Sequence, residues 1–166
     1  LTERFGVRRT DARLWPTSDA LHAEWRRMAP KEAAMLDYSR FENLHLTLGT
    51  GADQLTVQGT HGETTQIATG GGVDTVDVQA VSGPTTINAG AGSDTVNVTL
   101  TVDSEGGNPN SIAGLLTVTG GGDAGLDSLN VTVDSPVEVA GTLTADTLRG
   151  FRMSDGIDYS QWESLH

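Results

Sequence analysis

The sequence predicts an all-β fold, a parallel β-solenoid of the β-roll or β-helix kind, with about 4–5 coils and an N-terminal helical cap. Three observations lead to this prediction. Glycine accounts for 21 of the 166 residues, whereas only 5% are aromatic, so a core built on large rings is not available. A glycine-rich turn recurs about every twenty residues. Between these turns, apolar and polar residues alternate with the period of a β-strand.

The recurring turn carries an aspartate at a fixed position. Three segments, residues 48–57, 69–78 and 89–98, share the pattern Gly-x-Gly-x-Asp-x-(Leu/Val)-x-Val. A fourth, residues 120–131, has two extra residues in its turn. The long interval before the fourth copy contains a polar excursion over residues 101–112, which we expect to be a loop.

Apolar residues recur at equivalent positions of every repeat, and each repeat alone is too small to bury them. Stacked repeats would place them in rows, and β-branched side chains suit the walls of such a stack. The predicted rows are Leu46, Ile67, Ile87 and Val118; Leu55, Val76, Val96 and Leu129; and Val57, Val78, Val98 and Val131. A β-sandwich is the alternative, although it would not require the same turn at every second connection.

The first part of the chain differs in kind from the repeats. Ser18 can cap a helix that runs to Met28 or Ala29 and stops before Pro30. We expect residues 1–36 to form a helical cap over the first coil or, alternatively, an interaction segment whose arginines dock against an acidic neighbour. The solenoid module itself is predicted to span residues 37–156.

A second repeat with a longer period consists of two similar segments, residues 36–45, LDYSRFENLH, and residues 157–166, IDYSQWESLH. Six of the ten positions are identical, which indicates modules in tandem. We interpret residues 157–166 as the start of a second copy and therefore as a module junction. The expected parent is a longer tandem protein, or a processed or partly resolved subunit, and the expected partners are adjacent modules or copies of the chain, joined end to end.

The net charge of −12 excludes several classes of function. A strongly acidic surface repels nucleic-acid phosphates and anionic membranes, and no apolar run is long enough to insert into a bilayer. Residues 41–148 contain no lysine or arginine but thirteen acidic residues. Their carboxylates must therefore be hydrated, hydrogen-bonded to backbone N–H groups, or neutralised by a bound cation.

The turn motif resembles the hemolysin-type calcium-binding repeats of RTX proteins, whose nonapeptide is Gly-Gly-x-Gly-x-Asp-x-U-x. The resemblance implies Ca²⁺ held between stacked turns by aspartates and backbone carbonyls. The first glycine of the family motif is replaced here by Leu48, Thr69 and Ala89, and the motif occurs only once per coil. The candidate metal residues are Gly49, Gly51, Asp53, Gly70, Gly72, Asp74, Gly90, Gly92, Asp94, Asp123 and Asp127. The alternative is that these aspartates only cap N–H groups of the turns.

The sequence predicts no catalytic residues. It has no cysteine, and His45 and His61 have no evident acid–base partner. The coil walls also lack a basic residue. A glycosidase that uses a pair of carboxylates is the alternative that the many acidic residues leave. The expected function is structural: a module of a secreted or cell-surface protein, calcium-stabilised and assembling into an extended array or filament. The alternative is an adhesin-type module that binds glycans or another surface through polar rows such as Thr75 with Thr95 and Asn97 with Asn130.

Overall fold

The computed structural model describes residues 42–103, 111–122 and 125–166. These residues are all-β, and none of them belongs to a helix long and apolar enough to cross a membrane. The strands are β1 (Asn43–Thr47), β2 (Gln54–Val57), β3 (Thr64–Ala68), β4 (Thr75–Val78), β5 (Thr85–Asn88), β6 (Thr95–Thr101), β7 (Leu116–Thr119), β8 (Ser128–Asp134), β9 (Gly141–Leu143), β10 (Thr147–Gly150), β11 (Ile157–Ser160) and β12 (Ser164–Leu165).

The strands form two sheets, and the chain visits them alternately from β1 to β8. Sheet A has the order β1-β3-β5-β7-β11-β10-β9, and sheet B has the order β12-β8-β6-β4-β2. Every pair in sheet B is parallel, as is every pair in sheet A from β1 to β11. Only β10 and β9 run antiparallel to their neighbours. Parallel pairing is not what a β-sandwich gives, since its sheets are antiparallel.

The register between strands confirms the three predicted apolar rows. Leu46, Ile67, Ile87 and Val118 are successive partners in sheet A, and the rows that begin at Leu55 and Val57 are successive partners in sheet B. A register shift of one residue would turn each row to the opposite face, so burial fixes the pairing.

The core is a single cluster built from both sheets. It consists mainly of valine, leucine and isoleucine, and several members, including Ile87, Leu116 and Leu129, are fully buried. Burial of each such side chain contributes about 1.5–3 kcal/mol relative to exposure. Small β-branched side chains therefore do the packing that the scarce aromatic residues cannot.

The prediction of an all-β fold with parallel strands is confirmed for the described residues. The predicted helical cap over residues 1–36 lies outside them, as does the middle of the polar excursion, residues 104–110.

Candidate functional site: a column of aspartates at the glycine-rich turns

The glycine-rich turns join a strand of sheet A to the next strand of sheet B, and they stack directly on one another. The backbone N–H of Gly71 donates to Gly49 O at 3.1 Å, and that of Ala91 donates to Gly70 O at 2.9 Å. Each turn is therefore hydrogen-bonded through its backbone to the turn of the neighbouring repeat.

The predicted glycines are needed because the stacked turns approach so closely. A Cβ on Gly70, Gly72, Gly90 or Gly92 would overlap a backbone carbonyl oxygen of the preceding turn. Gly92 also has a φ of 142°, which side chains rarely adopt. Gly49 and Gly51 lie in the first turn, where an added Cβ would meet no described residue within 4 Å.

The aspartates of these turns form a continuous column, which we call the Asp column. Each carboxylate after that of Asp53 accepts a hydrogen bond from the backbone N–H of the aspartate one repeat earlier. The distances are 2.8 Å from Asp53 N to Asp74 Oδ1, 2.8 Å from Asp74 N to Asp94 Oδ1, and 2.9 Å from Asp94 N to Asp127 Oδ1. The aspartate side chains therefore cap backbone donors, as the turn-capping alternative predicted.

The backbone carbonyls of the same aspartates continue the ladder into sheet B. Thr75 N donates to Asp53 O, Thr95 N to Asp74 O, and Ser128 N to Asp94 O, at 2.8–2.9 Å. Asp74 and Asp94 thus each accept from the repeat before them through the side chain and from the repeat after them through the main-chain carbonyl. Such a connection fixes the register exactly where each strand of sheet B begins.

Asp74, Asp94 and Asp127 are each only 1% exposed. Burial of a carboxylate is costly unless it is hydrogen-bonded or paired with a cation. Oδ1 of Asp74 has its backbone partner, whereas Oδ2 of Asp74 is buried and has no hydrogen-bond partner among the described residues. A cation bound at this oxygen would offset the cost of its burial.

Calcium takes six to eight oxygen ligands, which include carboxylates, backbone carbonyls and waters. No three acidic or histidine side chains converge in the described parts of the chain, and the carbonyls of Gly49 and Gly70 already accept N–H groups. Asp123, one of the predicted ligands, lies outside the described residues. The geometry therefore gives a hydrogen-bonded column, and Ca²⁺ binding stays a prediction.

The Asp column continues at one residue that the sequence analysis missed. Asp127 N donates to Oε2 of Glu163 at 2.9 Å, so a glutamate takes the aspartate position in the last repeat. The signal was present in the sequence: Asp127-Ser-Leu129 and Glu163-Ser-Leu165 occupy equivalent positions, and Ser128 and Leu129 pair with Ser164 and Leu165.

The polar rows predicted for sheet B are also brought together. Thr75 pairs with Thr95, and Asn97 pairs with Asn130. Asn130 Nδ2 donates to Asn97 Oδ1 at 2.8 Å, and Asn97 Nδ2 donates to Asp77 Oδ1 at 2.7 Å. These side chains bind one another along the sheet, which stabilises the stack.

The two candidate histidines of the repeats do not meet. His45 lies in register with Gln66, and His61 contacts the hydroxyl of Thr65 at 3.3 Å. A shallow groove of about 290 Å³ near the last repeat is lined by Tyr159, Trp162 and Glu163, among others. The Tyr159 hydroxyl donates to Thr144 O and the Trp162 indole N–H donates to Val118 O, so both polar groups serve the fold.

Residues 1–43 match the family model of fatty acid cis/trans isomerase. No curated protein and no solved structure matches the chain. The RTX resemblance is therefore wrong as a family prediction, because the repeats alone satisfied its turn pattern and the family that matches is a different one. The matched family is an enzyme family, but the match covers 43 of 166 residues and ends at the first residue of β1.

Proposed function

We propose that this chain is a structural repeat module of a secreted or cell-surface protein, joined end to end with further modules or copies into an extended array. In this proposal the two sheets are the walls of a parallel β-solenoid, and each repeat is one coil. The alternation of the chain between the sheets from β1 to β8 supports the winding, and the parallel register supports the stacking.

The observation that carries the proposal is the strand pairing of the ten-residue segment that occurs twice in the sequence. Residues 157–166 form β11, a short turn and β12, which pair in parallel with β7 of sheet A and β8 of sheet B. Their other copy, residues 36–45, contributes its last three residues to β1, the strand at the opposite end of sheet A, so the counterpart of β12 lies in sheet A rather than in sheet B. The same sequence therefore serves as the last coil of this module and leads into the first, which suits a joint between modules.

The joint has room for a longer strand. β1 pairs over five residues, whereas its counterpart β12 pairs over only Ser164 and Leu165. His166 then bonds to the main chain of Leu129 and Val131. Beyond this point, β8 continues to Asp134, and among the described residues its only partner there is β6.

The extracellular assignment is supported by composition. The chain has no cysteine, its repeats have no basic residue, and its polar side chains form hydrated rows on the outer faces. The proposal concerns residues 42–166 and assigns them no catalytic role. The segment that matches the isomerase family ends where the repeats begin.

An adhesin-type binding module is the second candidate. The polar rows of sheet B favour it, since hydroxyl, amide and carboxylate groups lie side by side on one face. The amide ladder from Asp77 to Asn130 is already satisfied internally, however, so a glycan would have to bind mainly through the threonine hydroxyls. Glycan-array binding that is lost in T75A/T95A would favour this candidate over the structural one.

The structural proposal is tested by extending the chain after His166 with Leu-Thr-Leu, the residues that follow His45. If the segment is a joint, the extension lengthens β12 along β8, protects the amide of Val133 from hydrogen exchange, and adds about 1 kcal/mol of stability. A control extension of Gly-Ser-Gly should do neither. Equal melting temperatures and equal exchange in the two chains would contradict the proposal.

A further inference from the structure

The far end of sheet A is built differently from the rest of the sheet. The five parallel strands of sheet A, from β1 to β11, are followed at the edge of the sheet by β10 and β9, which form an antiparallel hairpin over Gly141–Gly150. We call this segment the hairpin. It occupies the outer edge of β11, the edge on which another coil would stack.

Specific side-chain contacts fasten the hairpin to β11. The guanidinium of Arg149 forms an ion pair with Asp158 and donates to Ile157 O at 2.8 Å. The Tyr159 hydroxyl donates to Thr144 O at 2.6 Å, and Leu148 is 8% exposed within the core. The pairing itself is short, with only two residue pairs between β10 and β11. The side chains therefore provide much of the attachment.

The outer strand of the hairpin is a poor template for further pairing. β9 has three residues, all exposed, whereas β11 has four and contributes Ile157 and Tyr159 to the core. Short edge strands are a common way in which proteins prevent unwanted strand addition.

The edge of β11 matches the first strand of the same sheet. Leu44, Thr65, Thr85, Leu116 and Ile157 form one continuous row of partners, and His45, Gln66, Thr86, Thr117 and Asp158 form the next. A second copy stacked by the same step would place its Leu44 beside Ile157 and its His45 beside Asp158. Inward residues would meet inward residues, and an imidazole would replace the guanidinium of Arg149.

We propose that the outer edge of β11 is a self-association surface for β1 of a second copy, and that the hairpin covers it. The hairpin then acts as a latch on end-to-end assembly: while it is closed, β10 occupies the edge of β11 at which β1 of a second copy would pair. This inference rests on the proposed end-to-end function and concerns copies that meet as separate chains; in a tandem chain the next module would begin instead at β12 in sheet B.

The structure offers a direct way to remove the latch. Phe151 N donates to Ala140 O at 2.7 Å, so the ends of the hairpin are adjacent and Gly141–Gly150 can be excised by joining Ala140 to Phe151. Sedimentation velocity of the excised and intact chains, across a range of concentrations, measures the outcome. We expect the intact chain to stay one species and the average mass of the excised chain to double or more as concentration rises.

Two control variants identify the cause. Leu143→Ala changes an exposed side chain of β9 and leaves the contacts between the hairpin and β11 in place, so it should sediment like the intact chain. Thr47→Pro replaces a residue of β1 whose N–H points away from β3, since the neighbouring Leu48 N donates to Ala68 O of β3. Introduced into the excised chain, it should abolish the association.

A folded excised chain that sediments like the intact chain overturns the proposal, as does an intact chain that associates to the same extent. If the excised chain does not fold, R149A/Y159F carries the test, with hydrogen exchange at Ile157–Tyr159 reporting opening of the hairpin. Unchanged exchange, or faster exchange without association, overturns the proposal. The Leu-Thr-Leu extension tests the proposed function separately, so a positive extension result with a monomeric excised chain refutes the latch alone.

Discussion

Two substitutions of Asp94 distinguish how much its hydrogen bond and how much its negative charge contribute to the stability of the Asp column. Asp94→Ala removes the acceptor of the N–H of Asp74, 2.8 Å away in a buried turn. Asp94→Asn keeps an oxygen at the same position but removes the charge. Both variants relieve the same repulsion from neighbouring aspartates, so the difference between them measures the loss of the acceptor.

The expected difference follows from the burial of the donor. A buried N–H that loses its partner costs about 1–3 kcal/mol. For a chain of this size, about 2 kcal/mol corresponds to a melting temperature roughly 4–8 °C lower for the alanine variant than for the asparagine variant. Calorimetry and denaturant titration both measure this difference.

Asp53→Ala is the matched control. Asp53 lies at the first turn, and its carboxylate accepts only a long, exposed hydrogen bond of 3.3 Å from Gly49 N among the bonds described. We expect this substitution to change stability by less than about 0.5 kcal/mol. Equal melting temperatures of Asp94→Ala and Asp94→Asn would refute the reasoning. The same holds if Asp53→Ala lowers the free energy of unfolding as much as Asp94→Ala does.

Three further predictions follow from the same geometry. Gly92→Ala should lower stability by at least about 2 kcal/mol, because its Cβ would overlap Gly72 O at a φ of 142°, while Gly49→Ala, measured in the same denaturant titration, should be neutral. Burial, with a smaller effect from Asp146, raises the pKa of Tyr159 above its ordinary value of 10.0. The unfolded chain therefore loses this proton at a lower pH than the folded chain, so the free energy of unfolding should fall as pH rises above 10.0. The fall should be smaller in Tyr159→Phe, and equal pH profiles of the two chains would contradict this prediction. Ca²⁺ should raise the melting temperature of the wild-type chain but not of Asp74→Asn, because Oδ2 of Asp74 is the buried oxygen without a hydrogen-bond partner; no shift in the wild type would remove the calcium prediction.

The repetitive part of the fold could be predicted from the sequence because residues at equivalent positions of successive repeats become partners in neighbouring strands. Once Asp53, Asp74, Asp94 and Asp127 are aligned, the apolar rows align with them, and the observed partners follow. The same alignment placed Thr75 beside Thr95 in sheet B.

The role of the aspartates could not be decided in advance. The partner of each carboxylate is a backbone N–H one repeat earlier, and a carboxylate that caps a donor has the same sequence signature as one that binds a cation. The turn pattern favoured the second interpretation through the RTX resemblance, although the glycines are explained by close stacking of backbone on backbone.

The hairpin was not predicted because residues 141–150 lie outside the repeat pattern. Its fastening depends on Arg149, Asp158 and Tyr159, whose contacts arise only after β11 has joined sheet A. Leu143 and Leu148, on either side of Thr144-Ala-Asp146, were the available signal for a short antiparallel pair.

The most direct test of the proposed function is small-angle X-ray scattering from a two-module chain, residues 1–166 followed by residues 46–166, in which Gly141–Gly150 of the first module are excised so that the outer edge of β11 is free for the next coil. Sheet B contains five strands, and each strand adds about 4.8 Å along the stack. The account predicts that the second module lengthens the particle by roughly 20–25 Å and leaves the radius of its cross-section unchanged. Two separate bodies at variable distance, or a wider cross-section of the same length, would contradict it.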